Sequence, residues 1–274
     1  MPGFVKIAWY GKHFGEEPPL IGNESQGAAC IFFSGCNLHC VYCQNYQISQ
    51  QNLGKKYSVE ALAEIMLQLQ KENSVCIDLV TPTIWWPAIK KAIMIAKKKG
   101  LTIPIVWNSN AYEPVQMLKE LEELVDIYLP DFKYGDNQLA EKYSGIKNYV
   151  ETAEAAIQEM LRQVGLLETN ECGLAGRGLI VRHLVLPANI ENSEKVFQII
   201  SSINSNVHVS LMFQYFPAWR AKAFREINRP LTSEECSIAS DFLSNAGLNN
   251  GWTQEQGSSE LLIPDFRLEN PFEK

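Results

Sequence analysis

Three cysteines spaced Cys36-x3-Cys40-x2-Cys43 directly follow the apolar run 28–34. Three thiolates within eight residues can hold three irons of a cubane iron–sulfur cluster and leave the fourth iron without a protein ligand. An open metal position is where a substrate or cofactor can be bound and activated. A structural zinc site instead uses paired C-x2-4-C elements. Only Cys40 and Cys43 make such a pair, and no second pair exists among Cys30, Cys76, Cys172 and Cys236. Those four stand singly and read as small buried hydrophobes. Seven cysteines, an odd number, and the lack of an apolar signal segment at the start argue against a disulfide framework.

Other polar groups close apolar runs further along the chain. One run ends in Leu79-Val-Thr-Pro-Thr83, with hydroxyls at Thr81 and Thr83, and another in Val106-Trp-Asn-Ser-Asn110. The two amides and the hydroxyl of Asn108, Ser109 and Asn110 are costly to bury without partners. A third run ends in Tyr128-Leu-Pro-Asp-Phe-Lys133, where strand alternation puts Asp131 and Lys133 on one side, able to pair. A fourth contains Val181-Arg-His-Leu184; Arg182 and His183 point to opposite faces, and His183 reads as structural. The last ends in Gln214-Tyr-Phe-Pro-Ala-Trp219, where Gln214 or Tyr215 can line a cavity or pack the core.

The elements that must position these groups alternate between strand and helix, the pattern of a parallel α/β architecture. Strands are expected at 28–33, 75–80, 103–107, 125–130, 179–186 and 207–213. They are continuous apolar runs rather than alternating ones, as for strands covered on both faces. Val59, Leu62, Met66 and Leu69 make a helical stripe after Ser58, and Val115, Leu118 and Leu121 follow Pro114. Ala156, Ile157, Met160, Leu161 and Val164 share one face of 152–164. Asn192 is placed to cap a helix bearing Val196, Ile199, Ile200 and Ile203, and Thr232-Ser-Glu-Glu235 is a capping box for a helix stopping near Gly247. Six strand–helix units fall short of the eight of a closed barrel. The expected organisation is a single domain: an irregular N-terminal extension (1–27), a core (28–248) and an irregular C-terminal extension (249–274).

In 274 residues, 46% hydrophobic and 20% charged, one sizeable domain of ordinary globular composition fits. No window approaches eighteen consecutive apolar residues, so no membrane span is expected. A formal net charge of −7 argues against general nucleic-acid binding, which wants a basic footprint. The lysines at 90–91 and 97–99 read as a solvated helix face with positive charge near its C-terminus.

The C-x3-C-x2-C spacing, with Tyr42 just before the last cysteine, resembles the radical S-adenosylmethionine (SAM) enzymes. The resemblance implies a partial (β/α)6 barrel and one 4Fe-4S cluster. Its open iron would chelate SAM, and the reduced cluster would cleave SAM to a 5′-deoxyadenosyl radical. It also implies roles at the strand ends, where parallel barrels gather functional groups. Thr81 and Thr83 stand where many relatives carry Gly-Gly-Glu for the SAM amino group, a departure that leaves hydroxyls or carbonyls to substitute. Asn108 and Ser109 match the Asp-Thr of glycyl-radical-enzyme activating enzymes, where the Asp helps bind SAM and a monovalent cation; Asn108 removes one negative charge from that site. Lys133 matches the lysine on the SAM carboxylate with Asp131 beside it, a charge-assisted contact. Arg182 matches an arginine directed into the barrel, a candidate for SAM or substrate carboxylate. With His13-Phe-Gly-Glu-Glu-Pro-Pro19, Asn45 and Asn250-Gly-Trp252, the whole chain is similar to the PflX-type group of pyruvate formate-lyase activating-enzyme homologues.

Several functions fit these residues. One is a radical SAM oxidoreductase that takes hydrogen from the backbone glycine of a glycyl radical enzyme; the absence of an auxiliary cysteine set favours this minimal machine. Another is a radical SAM modifier of a small molecule or a different protein residue. The third is an iron–sulfur electron-transfer or sensor protein, which would leave the SAM-like strand-end residues without purpose. The enzyme readings need a reduced flavodoxin- or ferredoxin-type electron donor. An oxygen-labile cluster implies a reducing cytoplasm.

Overall fold

The computed structural model describes residues 3–23, 25–253 and 263–272. In chain order its elements are β1 (Phe4–His13), α1 (Pro18–Ile21), β2 (Ala28–Phe33), α2 (Tyr46–Ser49), β3 (Lys55–Ser58), α3 (Val59–Lys71) and β4 (Ile77–Val80). Then follow α4 (Trp86–Lys98), β5 (Ile105–Ser109), α5 (Val115–Lys119), β6 (Ile127–Pro130), α6 (Asn137–Ser144), α7 (Tyr149–Val164) and β7 (Glu168–Thr169). The chain continues through β8 (Ala175–Leu184), α8 (Ile190–Asn204), β9 (His208–Met212), α9 (Ser233–Asn245) and β10 (Gly251–Thr253).

The six apolar runs are β2, β4, β5, β6, β8 and β9, paired in parallel in that order. This is the α/β partial barrel the sequence implies. Alternation along each strand divides the apolar side chains into two cores. Ala29, Ile31 and Phe33 of β2 join the helices' buried faces in the larger core. Ala28, Cys30 and Phe32 join Val80, Val106, Leu129 and Ile180 in a smaller core on the concave side. Leu62, Met66 and Leu69 of α3 are fully buried on the convex side, each stabilising by about 1.5–3 kcal/mol.

Local signals act largely as read. Ser58 accepts a hydrogen bond from the Ala61 N–H at the start of α3. Thr232 and Glu235 complete the capping box of α9. Asn192 does not cap α8, which opens two residues earlier. It is buried inside the helix, where its amide accepts from Gly135 N and donates to Lys133 O, fastening α8 to the chain beyond β6.

The extensions hold more order than expected. β1 runs antiparallel to β2, with Tyr10 opposite Ile31, and β3 pairs with its other edge. Beyond β9, β10 adds a parallel strand, so Trp252 lies beside Ser210. The resulting ten-stranded sheet has the order β10-β9-β8-β6-β5-β4-β2-β1-β3, with β7 attached to β8. At the C-terminus Phe266 and Phe272 pack on Phe32, covering the concave side. Residues 254–262 of the expected C-terminal extension lie outside the described residues.

Candidate active site at the mouth of the barrel

Chain direction puts the C-terminal ends of the parallel strands on one side, and the loops leaving them enclose a cavity of about 240 Å³. After β2, Gly35 takes φ +85°, a left-handed turn that an L side chain adopts at a cost, and delivers the cysteine loop over the cavity. The loop is held by its backbone: Gly35 N donates to Ile48 O, His39 N to Ser144 O and Val41 N to Tyr143 O, at 2.8–3.1 Å. Cys36, Cys40 and Cys43 all line the cavity.

Each thiol has a hydrogen-bonding neighbour. Leu38 N and Asn110 Nδ2 both lie 3.4 Å from Cys36 Sγ, Ser144 Oγ is 2.9 Å from Cys40 Sγ, and Ser49 Oγ is 3.2 Å from Cys43 Sγ. Tyr42 extends this set: its hydroxyl is 2.7 Å from that of Tyr134, which is 2.6 Å from Ser144 Oγ. Burial pushes the Cys36 thiol up to about 11 and the Cys43 thiol up to about 12, with the neighbouring Cys40 adding in each case. Without a metal these groups are therefore protonated; bound iron would deprotonate them outright. Donors aimed at the sulfurs suit thiolate ligands, and three clustered thiols, Cys40 buried and Cys36 and Cys43 half-buried, without a fourth suit a cluster with one open iron. The residues fit the group.

Opposite the cysteines lie the charged strand ends. Lys133 Nζ is 2.7 Å from Asp131 Oδ2, the pairing expected from alternation, and Arg182 Nε donates to Asp131 Oδ1 at 2.7 Å. Arg182 also donates from Nη2 to Asn108 Oδ1 at 2.6 Å and from Nη1 to Glu16 Oε2 at 3.2 Å. Burial works against the Asp131 carboxylate, but Arg182 and Lys133 outweigh it and hold its pKa below the usual range. Burial likewise opposes the Lys133 ammonium, and Asp131 with Cys40 keeps it charged.

Thr81, Asn108, Ser109, Asp131, Lys133 and Arg182 thus line the same cavity as the three cysteines and Tyr42. Thr83 does not line it. A turn after Pro82 carries Thr83 behind the strand end, where its hydroxyl donates to Glu113 Oε1 at 2.8 Å. Ser109 reaches the cavity wall yet also donates to Glu113 Oε2 at 2.7 Å. Gln214 lines the cavity, whereas Tyr215 packs beneath it and donates to Ile227 O. His183 is buried on the outer face between Phe132 O and Ser193 Oγ, at 2.7 and 2.8 Å.

Sequence reasoning missed several residues. Glu113, fully buried, accepts from Thr83, Trp107 and Ser109 and so braces the ends of β4 and β5. Its signal was a charged residue four positions past Ser109 in otherwise apolar text. Glu16 and Glu17 arrive from the N-terminal extension, line the cavity and face Arg182. Asp78 stood inside an apolar strand, an anomaly the sequence displayed openly. Burial raises the pKa of all three carboxyl groups.

Fold and site together define a parallel α/β partial barrel whose mouth gathers three cysteine thiols and a set of charged strand ends on one cavity. The family model of the Radical SAM superfamily matches residues 30–170. The chain belongs to that superfamily, which implies a 4Fe-4S cluster and SAM as cofactors. It is 34% identical over 248 residues to the uncharacterized protein MJ0674 of Methanocaldococcus jannaschii, covering 86% of this chain and 67% of that protein. Its fold is similar to SuiB of Streptococcus suis, with a TM-score of 0.56 and 11% identity over 81% of this chain and 47% of SuiB. SuiB bound to S-adenosylmethionine matches with a TM-score of 0.55 and 12% identity over 81% of this chain and 48% of that one. The chain spans about half the length of SuiB. Among the described residues no helix is long and apolar enough to cross a membrane.

Proposed function

We propose that the protein is an activase-like radical SAM oxidoreductase of the PflX-type branch, acting in the cytoplasm on the backbone glycine of a glycyl radical enzyme. The observation that carries the radical chemistry is the convergence of Cys36, Cys40 and Cys43 with Asp131, Lys133, Asn108 and Arg182 on one cavity. A 4Fe-4S cluster, reduced by a flavodoxin- or ferredoxin-type donor, would supply reductive cleavage of SAM to the 5′-deoxyadenosyl radical that takes the substrate hydrogen.

The chain's own residues do the rest. Lys133 offers the cationic contact for the SAM carboxylate, and Asp131 holds its ammonium in place. Arg182 fixes the other oxygen of Asp131 and the carbonyl oxygen of Asn108, so three strand ends are locked together before any ligand arrives. The amide nitrogen of Asn108 is committed to Asp78 Oδ2, at 3.1 Å. Phe32, Phe33 and Leu184 form apolar wall, which strengthens the charge contacts by excluding water.

The test is anaerobic reconstitution to about four irons per chain, reduction with SAM, and assay of 5′-deoxyadenosine and methionine. Both products should form in the wild type and in none of the single alanine variants of Cys36, Cys40 and Cys43. Unchanged product in Cys40→Ala would overturn the cluster assignment, and a cluster that reduces without cleaving SAM would return the protein to electron transfer. Addition of a glycyl radical enzyme should yield a glycyl radical EPR doublet. Turnover of SAM with no doublet would move the reading to another substrate.

A further inference from the structure

At the floor of the cavity, three side chains that the radical chemistry does not use meet inside the barrel. Cys30 on β2 and Asp78 on β4 are directly paired across the parallel register, so both side chains project on one side. Glu16 reaches them from the segment after β1. Cys30 Sγ is 3.5 Å from Asp78 Oδ2 and 3.9 Å from Glu16 Oε1, and the three donor atoms all lie within 4.8 Å of one another. Zinc bound by one thiolate at about 2.3 Å and carboxylate oxygens at about 2.0 Å in a tetrahedron requires sulfur–oxygen edges of about 3.5 Å. The two sulfur–oxygen distances are already at, or a few tenths of an ångström from, that spacing.

Two observations suit a cation at this position. Asp78 has no exposed surface, and its Oδ1 has no hydrogen-bond partner; Glu17 Oε2, also buried, has none either. A buried carboxylate left in this state is expensive. The charge count agrees. The carboxylates of Glu16, Glu17, Asp78 and Asp131 share this interior with the cations Arg182 and Lys133. Fully ionised, the four would outnumber the two cations. Burial favours the neutral forms of Glu16, Glu17 and Asp78, and a bound divalent cation would displace those protons. The carboxylates are also oriented from outside, as metal ligands usually are. Arg182 Nη1 holds Glu16 Oε2, leaving Oε1 toward Cys30, and Asn108 Nδ2 holds Asp78 Oδ2.

We propose that Cys30, Asp78 and Glu16 form a binding site for one borderline divalent cation of the Zn2+ type, separate from the cysteine loop. One thiolate with two carboxylates suits such an ion better than Ca2+ or Mg2+, which take oxygen ligands. Binding exchanges the Cys30 thiol proton, and any proton held by Asp78 or Glu16, for bonds to the metal, and these protons leave to solvent. No electron is transferred. The ion ties the segment after β1 to two adjacent barrel strands at the floor of the SAM cavity.

The test is metal analysis of the desalted, reconstituted full chain after exposure to one equivalent of Zn2+. Zinc should be retained at one ion per chain in addition to the cluster iron. Cys36→Ala should lose cluster iron and keep the zinc, so failure of this site and failure of the cluster assignment are distinguishable. Cys30→Ala and Asp78→Asn should weaken zinc binding by more than about 100-fold, beyond the 10–100-fold typical of losing an outer partner of a ligand. Alanine fits the small space of Cys30, so this variant keeps the test valid if Asp78→Asn fails to fold. In the chain with Cys36, Cys40 and Cys43 all replaced by alanine, Co2+ should give a thiolate-to-cobalt absorption band that Cys30→Ala removes. Absence of retained zinc in the wild type overturns the proposal, as does equal retention in Cys30→Ala. Zinc lost only in Cys36→Ala also overturns it, because the metal would then lie on the cluster loop.

Discussion

Arg182 Nε and Asp131 Oδ1 lie 2.7 Å apart at the point where β6 gives way to the loop beyond it, and a backbone bridge joins the same two residues. The pairing converts two separate strand ends into one rigid ledge, with Lys133 on the remaining carboxylate oxygen. A cofactor that lands on this ledge meets charges whose positions are already fixed, and such preorganisation lowers the cost of binding.

The ledge makes Lys133 and Asp131 separable by experiment. Loss of a charge-assisted contact costs about 1.5–3 kcal/mol, or roughly ten- to more than a hundredfold in affinity. Lys133→Ala should therefore keep its cluster and weaken SAM binding by that order, measured by equilibrium binding to the reconstituted protein. On sequence grounds Asp131→Asn is expected to weaken SAM binding less, because it keeps the shape and a hydrogen-bonding group. The observed double bridge reverses that order for stability. Asp131→Asn leaves Arg182 and Lys133 close together without their shared anion. These side chains are partly buried, so the variant should lose less than the roughly 3–5 kcal/mol of breaking a fully buried pair, yet more than an exposed pair is worth. Its melting temperature should fall well below that of Lys133→Ala; equal melting temperatures would show that Glu16 and Glu17 suffice to balance Arg182.

Ser144 gives a prediction for the cluster itself. Its hydroxyl sits 2.9 Å from Cys40 Sγ and is held from behind by Tyr134 and Tyr42. Hydrogen bonds to ligand sulfur stabilise the more negative, reduced state and so raise the potential. Ser144→Ala should retain its iron and shift the reduction potential to a more negative value, read by potentiometric EPR titration. An unchanged potential would mean that the hydroxyl turns elsewhere once the cluster is in place.

Much of this site was legible because its chemistry sits in short local patterns. The cysteine spacing and the Asp131–Lys133 alternation each depend on a few consecutive residues and the period of a strand, and the family resemblance supplied the inward direction of Arg182. Strand positions were legible for the same reason: β2 runs over the residues expected, and β4, β5, β6, β8 and β9 differ only at their ends. What the sequence concealed depends on contacts across long separations. β1 carries mixed polar and apolar text, and only its antiparallel partner explains it. Glu16 meets Cys30 and Asp78 because the segment after β1 folds into the barrel, which no local period announces. Asn192 matched a capping residue by type, but its burial against Lys133 and Gly135 overrode the local preference.

His183 sets a pH dependence. Burial, with the Lys133 charge adding, lowers its pKa to about 4 despite the hydrogen bond to Phe132 O. In the unfolded chain an imidazole titrates near about 6.5. The unfolded state therefore binds the extra proton between these values, and stability rises with pH across the window. The contribution is fully present above about pH 6.5 and is lost as pH falls toward about 4, at up to about 1.4 kcal/mol per pH unit. His183→Gln cannot titrate, so the apo-protein variant should be less stable at pH 8 and should lack this component of the slope. Urea denaturation of both proteins from pH 8 to 4 measures it, and parallel slopes would assign the acid sensitivity to carboxyl groups instead.

Thr81 and Thr83 belong to one strand end, and the structure separates their roles. Thr81 lines the cavity with φ +58°, a conformation a β-branched residue adopts only when its surroundings enforce it. Its N–H is held by Asn108 O at 2.9 Å. Such strain costs about 1–3 kcal/mol, and glycine would relieve it while costing about 0.5–1 kcal/mol in chain entropy. Thr81→Gly should therefore melt close to the wild type or slightly above it. It should still weaken SAM binding, by up to about tenfold if the hydroxyl makes one ordinary hydrogen bond. Thr83 shows the opposite pattern. Its hydroxyl donates to buried Glu113, so Thr83→Ala removes one of three donors from that carboxylate. Stability should fall by about 0.5–1.5 kcal/mol with SAM affinity unchanged. Side-by-side melting and SAM-binding measurements on the two variants decide the matter. If Thr83→Ala loses affinity as Thr81→Gly does, Glu113 transmits its bracing to the cofactor cavity, and the strand end works as one unit rather than two.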